Sequence, residues 1–343
     1  MLNHLKDLSN LIGVSGDENK VREYIIENIK DKCEYKIDNL GNIIAFKKGK
    51  NKIEKKIMFA AHMDEVGMIV NYINDDGTLK ISPVGGLDAE VVIGRSVIVS
   101  KNNMKGVIGS KAVHNLSSEE KKSSPKFDNL YVDIGSQSKE ETEKYINLGD
   151  TVAFMPNFME FGDDKIKSKA LDDRIGCAIM LDLISDELEY DAYFAFTVQE
   201  ELGLRGARTA TYDIEPDFAI VLETTTASDI PSVSEEKVVC KLGKGAVVSY
   251  MDRSTIYDKE LYSLAFEISK SNNILCQTKT AVVGGNDSGA IHISRKGVRT
   301  IAISAPSRYL HSPASVVKKS DLISCENLAK MLFLRIANIW LES

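Results

Sequence analysis

The chain has 343 residues, 43% of them hydrophobic, and its 43 Lys and Arg against 50 Asp and Glu give a formal net charge of -7. That balance excludes the basic footprint of a nucleic-acid-binding protein, and no apolar run approaches the roughly 20 residues of a membrane span. The length exceeds what one hydrophobic core usually serves, so two structural units are expected.

In chain order, Val21, Tyr24, Ile25 and Ile29 recur at helical spacing behind Asp17 as a candidate N-cap, which predicts a helix over about 17–32. Polar and apolar residues then alternate around Asn39-Leu40-Gly41, predicting a hairpin of strands 34–38 and 42–47, and 56–61 reads as a buried strand. From about 67 to 164 the texture changes to short β-rich runs, at 91–100, 106–109, 130–134 and 151–154, separated by Gly, Asn and Asp turns. Such runs favour a small barrel or sandwich. Past 165, helices over about 173–187, 257–272 and 321–341 alternate with strands at 192–198, 218–222 and 299–304, an α/β layout. The early elements have too few partners to form a core alone. The expected division is therefore one α/β unit of 1–66 and 165–343, interrupted by a β-rich insertion of 67–164.

Cys33, Cys177, Cys240, Cys276 and Cys325 are scattered, odd in number and without a CxxC pair, so reduced, mostly packed thiols inside a cell are expected. With neither a signal peptide nor a membrane anchor in the reading, a cytoplasmic location follows as an expectation.

Several apolar runs end at a residue able to bind a metal. The strand 56–61 leads to His62, the strand 192–198 passes through Gln199 into Glu200 and Glu201, the strand 218–222 leads to Glu223, and a short loop after 299–304 leads to His311. Ligands of open α/β sheets bind at the carboxyl ends of strands. Asp172 stands where a helix start would aim carboxylates, although it or Asp173 could simply cap that helix. Two imidazoles and several carboxylates without cysteine suit catalytic zinc, cobalt or manganese better than structural zinc. Asp64 lies two residues beyond His62, on the same face of a strand, and can orient the imidazole. Adjacent Glu200 and Glu201 diverge, so one can ligate while the other accepts a proton.

At these residues the sequence resembles the tetrahedral aminopeptidases, the glutamyl-aminopeptidase-like dinuclear metallopeptidases. The resemblance is carried in order by Ala61-His62-Met63-Asp64-Glu65-Val66-Gly67, Lys169-Ala170-Leu171-Asp172-Asp173-Arg174-Ile175-Gly176, Thr197 to Ala207 with Gln199-Glu200-Glu201, Gly284-Gly285-Asn286-Asp287, and Arg308-Tyr309-Leu310-His311-Ser312-Pro313. It implies a zinc-exopeptidase-like α/β fold, a mixed central sheet flanked by helices, with an inserted small β-barrel-like domain used in dimerisation and assembly. It further implies two divalent ions per subunit, zinc or cobalt, with His62, Asp172 and Glu223 around one and Asp172, Glu201 and His311 around the other.

Glu200 would then be the general base, with Asp64 and Asp287 supporting, helix capping being the other reading of Asp287. Peptide substrates and a homo-oligomer between dimer and dodecamer follow from the same resemblance. Glu223 stands where the family often carries Asp, and Asn286 where Thr is expected. His4, His114 and His292 fall outside the matching blocks and read as surface or packing residues. The competing readings are a metal-dependent deacylase of small N-acyl substrates and a non-catalytic scaffold of the same fold.

Overall fold

The computed structural model describes residues 1–99 and 102–339. The strand Ile57–His62 is buried along its whole length, as its unbroken apolar run requires of a strand covered on both faces. Ile57, Phe59 and Ala61 pack on one side of the sheet with the helices Leu171–Ser185 and Lys319–Ile339, while Met58 and Ala60 pack on the other with Ala207, Ala210 and Ile214 of the helix Arg205–Ile214. This is the two-residue alternation of a strand expressed as two cores. Phe59 stacks on Phe194, with ring centroids 5.2 Å apart.

Around this strand runs an eight-stranded mixed sheet, in the order Glu34–Ile37, Ile43–Lys47, Ala192–Thr197, Ile57–His62, Phe218–Thr226, Arg299–Ser307, Ala246–Val248 and Cys276–Thr278. Its central four, from Ala192–Thr197 to Arg299–Ser307, are mutually parallel. Register pairs Thr197 with His62, and Ala60 with Val221, so two residues further along His62 and Glu223 come level. Glu223 thus lies beside the end of the His62 strand although its own strand, expected over 218–222, runs on to Thr226, and the one expected over 299–304 runs on to Ser307.

A closed barrel is formed by Gly67–Ile73, Leu79–Val84, Leu130–Asp133, Met104–Ser110, Ser96–Val99 and Thr151–Phe154, around a core that includes Met68, Val70, Leu79, Val97, Ile108, Val132 and Phe154. A small sheet of Met159–Phe161, Lys165–Ser168 and Ser315–Lys318 follows it.

Other local readings change as well. The first long helix is Asn19–Ile29, with Glu18 rather than Asp17 at its N-cap, and a shorter helix, Leu2–Asn10, precedes it. The run expected as strand 91–100 opens instead with a helical turn, Ala89–Val92, because the Asp88 carboxylate accepts the Glu90 N–H; the strand begins at Ser96. Ser100 of that run and 340–341 of the last predicted helix lie outside the described residues.

A buried ionic cluster ties the N-terminal helix to the strand ends. Lys169 Nζ donates to both Glu65 carboxylate oxygens at 2.7 and 2.8 Å and to the Leu11 carbonyl at 2.6 Å. Arg174 reaches the Leu8 carbonyl at 2.6 Å and Glu65 Oε1 at 3.4 Å. The two cations thus satisfy carbonyls at the C-terminal end of the helix Leu2–Asn10, where the dipole favours positive charge. Burial pulls the Lys169 ammonium down to about 8. Removing one partner of a buried pair strands the other charge. Lys169→Met should accordingly destabilise the protein by about 3 to 5 kcal/mol, read as a lowered urea midpoint; an unchanged midpoint would show that the cluster adds nothing to stability.

Candidate metal centre

His62 enters from the end of its strand, with Nδ1 3.1 Å from the carbonyl of Asp64. A carbonyl can only accept, so Nδ1 carries the hydrogen and the Nε2 lone pair faces Asp172 Oδ1 at 3.3 Å and Glu223 Oε1 at 3.6 Å. His311 repeats the device. Its Nδ1 donates to the carbonyl of Gly86 at 3.0 Å, and its Nε2 lies 3.3 Å from Asp172 Oδ2 and 3.3 Å from Glu201 Oε1. Asp172 therefore stands between two imidazoles, presenting a different oxygen to each.

Local backbone explains how these side chains converge. Ala170 takes a left-handed conformation, and Asp172 and Asp173 are non-helical, so the chain turns before the helix proper begins. Asp173 then caps it, its Oδ1 accepting the Gly176 N–H at 2.9 Å. A Cβ on Gly176 would lie 2.4 Å from Asp173 Oδ2, so only glycine leaves room for that carboxylate. Asp173 joins the cluster beyond its capping role: His62, Asp173 and Glu223 offer ligand atoms within 4.8 Å of one another, as do His62, Asp172 and Glu201.

The sequence reading gave Asp64 the task of orienting His62. Its carboxylate is 3.5 Å from Nδ1, and its shorter bonds go to Ser15 Oγ at 2.6 Å, Glu200 N at 3.0 Å and Glu201 N at 3.1 Å. Asp287 precedes the short helix Ser288–Ile291 without a side-chain capping bond, so the capping alternative fails. It is buried instead, its Oδ2 accepting from the Thr197 hydroxyl at 2.5 Å. His4 and His292 bond to Tyr24 and to the Ser288 carbonyl, and among the described residues none of His4, His114 and His292 joins a metal-binding group. All five cysteines are free.

A cavity of about 660 Å³ opens over the cluster, lined by His62, Asp172, Glu200, Glu201, Glu223 and His311 together with Lys279 and Arg253. Burial raises Glu223 to about 8 with help from the Asp172 charge. Burial also raises Glu200 well above the usual range, reinforced by Glu223, Asp287 and Glu201. Burial alone would lower both histidines, yet bonds to Asp172, Asp64 and Glu223 hold His62 well above its ordinary value, and Asp172 and Glu201 raise His311 to about 11. Asp172 would be pushed up by burial but is held well below the usual carboxylate range by its bonds to His311 and His62.

These are the marks of a cluster that needs positive charge at its centre. Buried Asp173 Oδ2 has no hydrogen-bond partner among the described residues, and both imidazoles turn their Nε2 atoms inward onto carboxylate oxygens. The donor set fits divalent cations.

Residues 41–328 match the family described as M42 glutamyl aminopeptidase. The chain belongs to that family. It is 36% identical to the lysyl aminopeptidase of Pyrococcus furiosus over 330 residues, 93% of each protein. Among solved structures, an aminopeptidase from the archaeon Desulfurococcus kamchatkensis superposes with a TM-score of 0.90 at 35% identity, covering 95% of this chain and 92% of its own. The TET1 peptidase of Pyrococcus horikoshii, which can assemble into a tetrahedron or a large octahedral shell, gives 0.84 at 34% identity over 96% and 98%. This M42 chain is accordingly a peptidase of the aminopeptidase class with the α/β fold of those structures. Membership in a metallopeptidase family agrees with the donor set.

The sequence reading missed Gly86, whose contribution is a backbone carbonyl, and Asp173, whose capping signal masked its second oxygen. In the ion-free M42 chain, bonds to the surrounding carboxylates raise the proton affinity of His62 and His311, whereas cation binding needs neutral imidazoles. Zinc or cobalt uptake by the chelated protein should therefore release protons, with affinity rising as pH rises. Calorimetry in buffers of different ionisation enthalpy checks this, and heats independent of the buffer would contradict it.

Proposed function

We propose that this chain is an aminopeptidase that works with two divalent ions, zinc or cobalt, and uses Glu200 as its proton carrier. The observation that carries the reading is Asp172, whose two oxygens each lie 3.3 Å from a different imidazole. His62, Asp172 and Glu223 would hold one ion, and Asp172, Glu201 and His311 the other. When bound, such a pair supplies Lewis-acid polarisation of the scissile carbonyl and eases ionisation of the attacking water.

Glu200 lines the cavity, and among the described residues no hydrogen bond or ion pair engages its carboxylate. A free carboxylate whose affinity for protons is raised by burial suits a group that takes a proton from water and returns it to the departing amine. Glu200, whose carboxylate no other group among the described residues engages, can also accept from a positively charged α-amine, which the neutral N-acyl group of a deacylase substrate cannot supply.

Lys279 supports a preference for the first residue. It is buried to 7% exposure in the cavity wall, its Nζ donates to the Val283 carbonyl at 2.8 Å, and no carboxylate among the described residues pairs with it. Arg253 lines the same cavity. Together they favour an acidic first residue, the choice expressed in the family's description rather than in the name of the lysyl relative. We further assign 1–66 and 165–343 to the catalytic domain and 67–164 to an assembly domain, in keeping with the shells formed by the TET1 structure; light scattering that returned only a monomer would remove the assembly role. The free cysteines support a cytoplasmic location, which cell fractionation tests.

Glu200→Gln should lower turnover by about two to four orders of magnitude while leaving bound metal, measured by elemental analysis, near the wild-type amount. Loss of an ion from Glu200→Gln with retention of both in Glu201→Gln would reverse the roles of the pair. Lys279→Met should reduce kcat/KM on glutamyl-p-nitroanilide by about ten- to hundredfold, the worth of a charge-assisted hydrogen bond, and spare the leucyl substrate. An equal effect on both substrates would refute the acidic preference.

A further inference from the structure

The turn that carries Glu200 and Glu201 is held by backbone amides. Leaving the strand Ala192–Thr197, the chain places Gln199 at a left-handed φ of 55°, a conformation disfavoured for any residue but glycine. Three successive N–H groups then point into the protein rather than toward a helix or sheet partner. Gln199 N donates to Glu18 Oε1 at 3.2 Å, Glu200 N to Asp64 Oδ1 at 3.0 Å and Glu201 N to Asp64 Oδ2 at 3.1 Å.

Both accepting carboxylates are held from the N-terminal loop. Ser15 Oγ donates to Asp64 Oδ2 at 2.6 Å, and Gly16 N donates to Glu18 Oε1 at 2.7 Å. The loop itself is docked on the strand end, with Glu65 N on the Gly13 carbonyl at 2.9 Å and Ser15 N on the Glu65 carbonyl at 3.3 Å. Ser15, Glu18 and Asp64 are all buried. Neither Ser15 nor Glu18 lines the cavity, so neither meets substrate.

We propose that Ser15 and Glu18 are positioning residues, the N-terminal loop acting as a clamp on the Gln199–Glu201 amides that fixes where the Glu200 carboxylate sits. The proposal rests on the reading of Glu200 as the proton carrier only for its effect on rate. Its structural part concerns the amides alone. The Gln199 carbonyl is held on the other side by the Arg205 N–H at 3.2 Å, so Glu18 holds the amide side of a left-handed hinge: if Glu18 no longer accepts, that peptide relaxes and the side chain after it swings. Displacements of about 1 Å at a reacting group cost up to about a hundredfold in rate.

The test uses the full-length protein carrying Glu18→Ala, Glu18→Gln and Ser15→Ala. Hydrogen–deuterium exchange of the Gln199, Glu200 and Glu201 amides is measured with the metal removed, and kcat, KM and bound metal are measured with it restored. Glu18→Ala should speed exchange at Gln199 by at least tenfold and lower kcat by about ten- to hundredfold, with KM and metal content little changed. Glu18→Gln keeps an acceptor oxygen and should restore most of both. Ser15→Ala should act on the Glu200 and Glu201 amides, and it decides the matter if Glu18→Ala does not fold. Unaltered exchange at these amides in the folded variants would overturn the clamp, as would a loss of kcat matched by a loss of metal. Faster exchange without a change in kcat would keep the clamp and overturn its catalytic purpose. If Glu200→Gln were itself fully active, the proton-carrier reading would fail while the exchange result still judged the clamp.

Discussion

Several carboxylates held together away from water repel one another, and this one constraint organises the molecule. Asp172, Asp173, Glu201 and Glu223 crowd around two imidazoles at the end of a parallel sheet, with Glu200 beside them. Like charges in such surroundings stay ionised only with positive charge among them. Without ions, bonds to the carboxylates raise both histidines, burial raises Glu223 to about 8, and bonds to the two imidazoles hold Asp172 low. Divalent cations would occupy the same electrostatic place.

The fold sets that crowding at one point and keeps it from dispersing. Buried parallel strands deliver His62, the Glu200-Glu201 turn and Glu223 to one place, because register brings these positions level. Backbone carbonyls then fix both rings, and one of them, from Gly86, follows the barrel strand Leu79–Val84. The barrel and the loop that leaves it thus contribute to the site as well as forming a core of their own. A Cβ on Gly86 would come 3.1 Å from His311 Nδ1, so the missing side chain permits the close approach. Beneath the turn, Asp64 and Glu65 divide the work. Asp64 accepts the amides of Glu200 and Glu201, while Glu65 anchors Lys169 and Arg174 and through them the first helix.

The architecture was legible wherever burial leaves an unbroken apolar run. Ile57–His62 and Ala192–Thr197 were found within a residue because strands covered on both faces have no polar alternation to confuse them. The acids and histidines at their ends were visible because chemistry-bearing side chains interrupt such runs. What escaped was carried by the backbone or by loops. Gly86 acts through a carbonyl, and Ser15 and Glu18 act on amides far along the chain, neither of which leaves a local pattern. The helix Leu2–Asn10 buries only Leu5, Leu8 and Ser9, too few positions to establish a period. Val91 and Val92 have the β-branched character of a strand, but Asp88 accepts the Glu90 N–H and imposes a helical turn.

The central claim is that two cations share Asp172, one beside each histidine. Anomalous diffraction from crystals grown with zinc or cobalt, collected at the absorption edge of the added metal, addresses it without reference to activity. Two peaks should flank the Asp172 carboxylate, one within bonding distance of His62 Nε2 and the other of His311 Nε2. A single peak, or peaks that leave Asp172 bound to neither ion, would contradict the account.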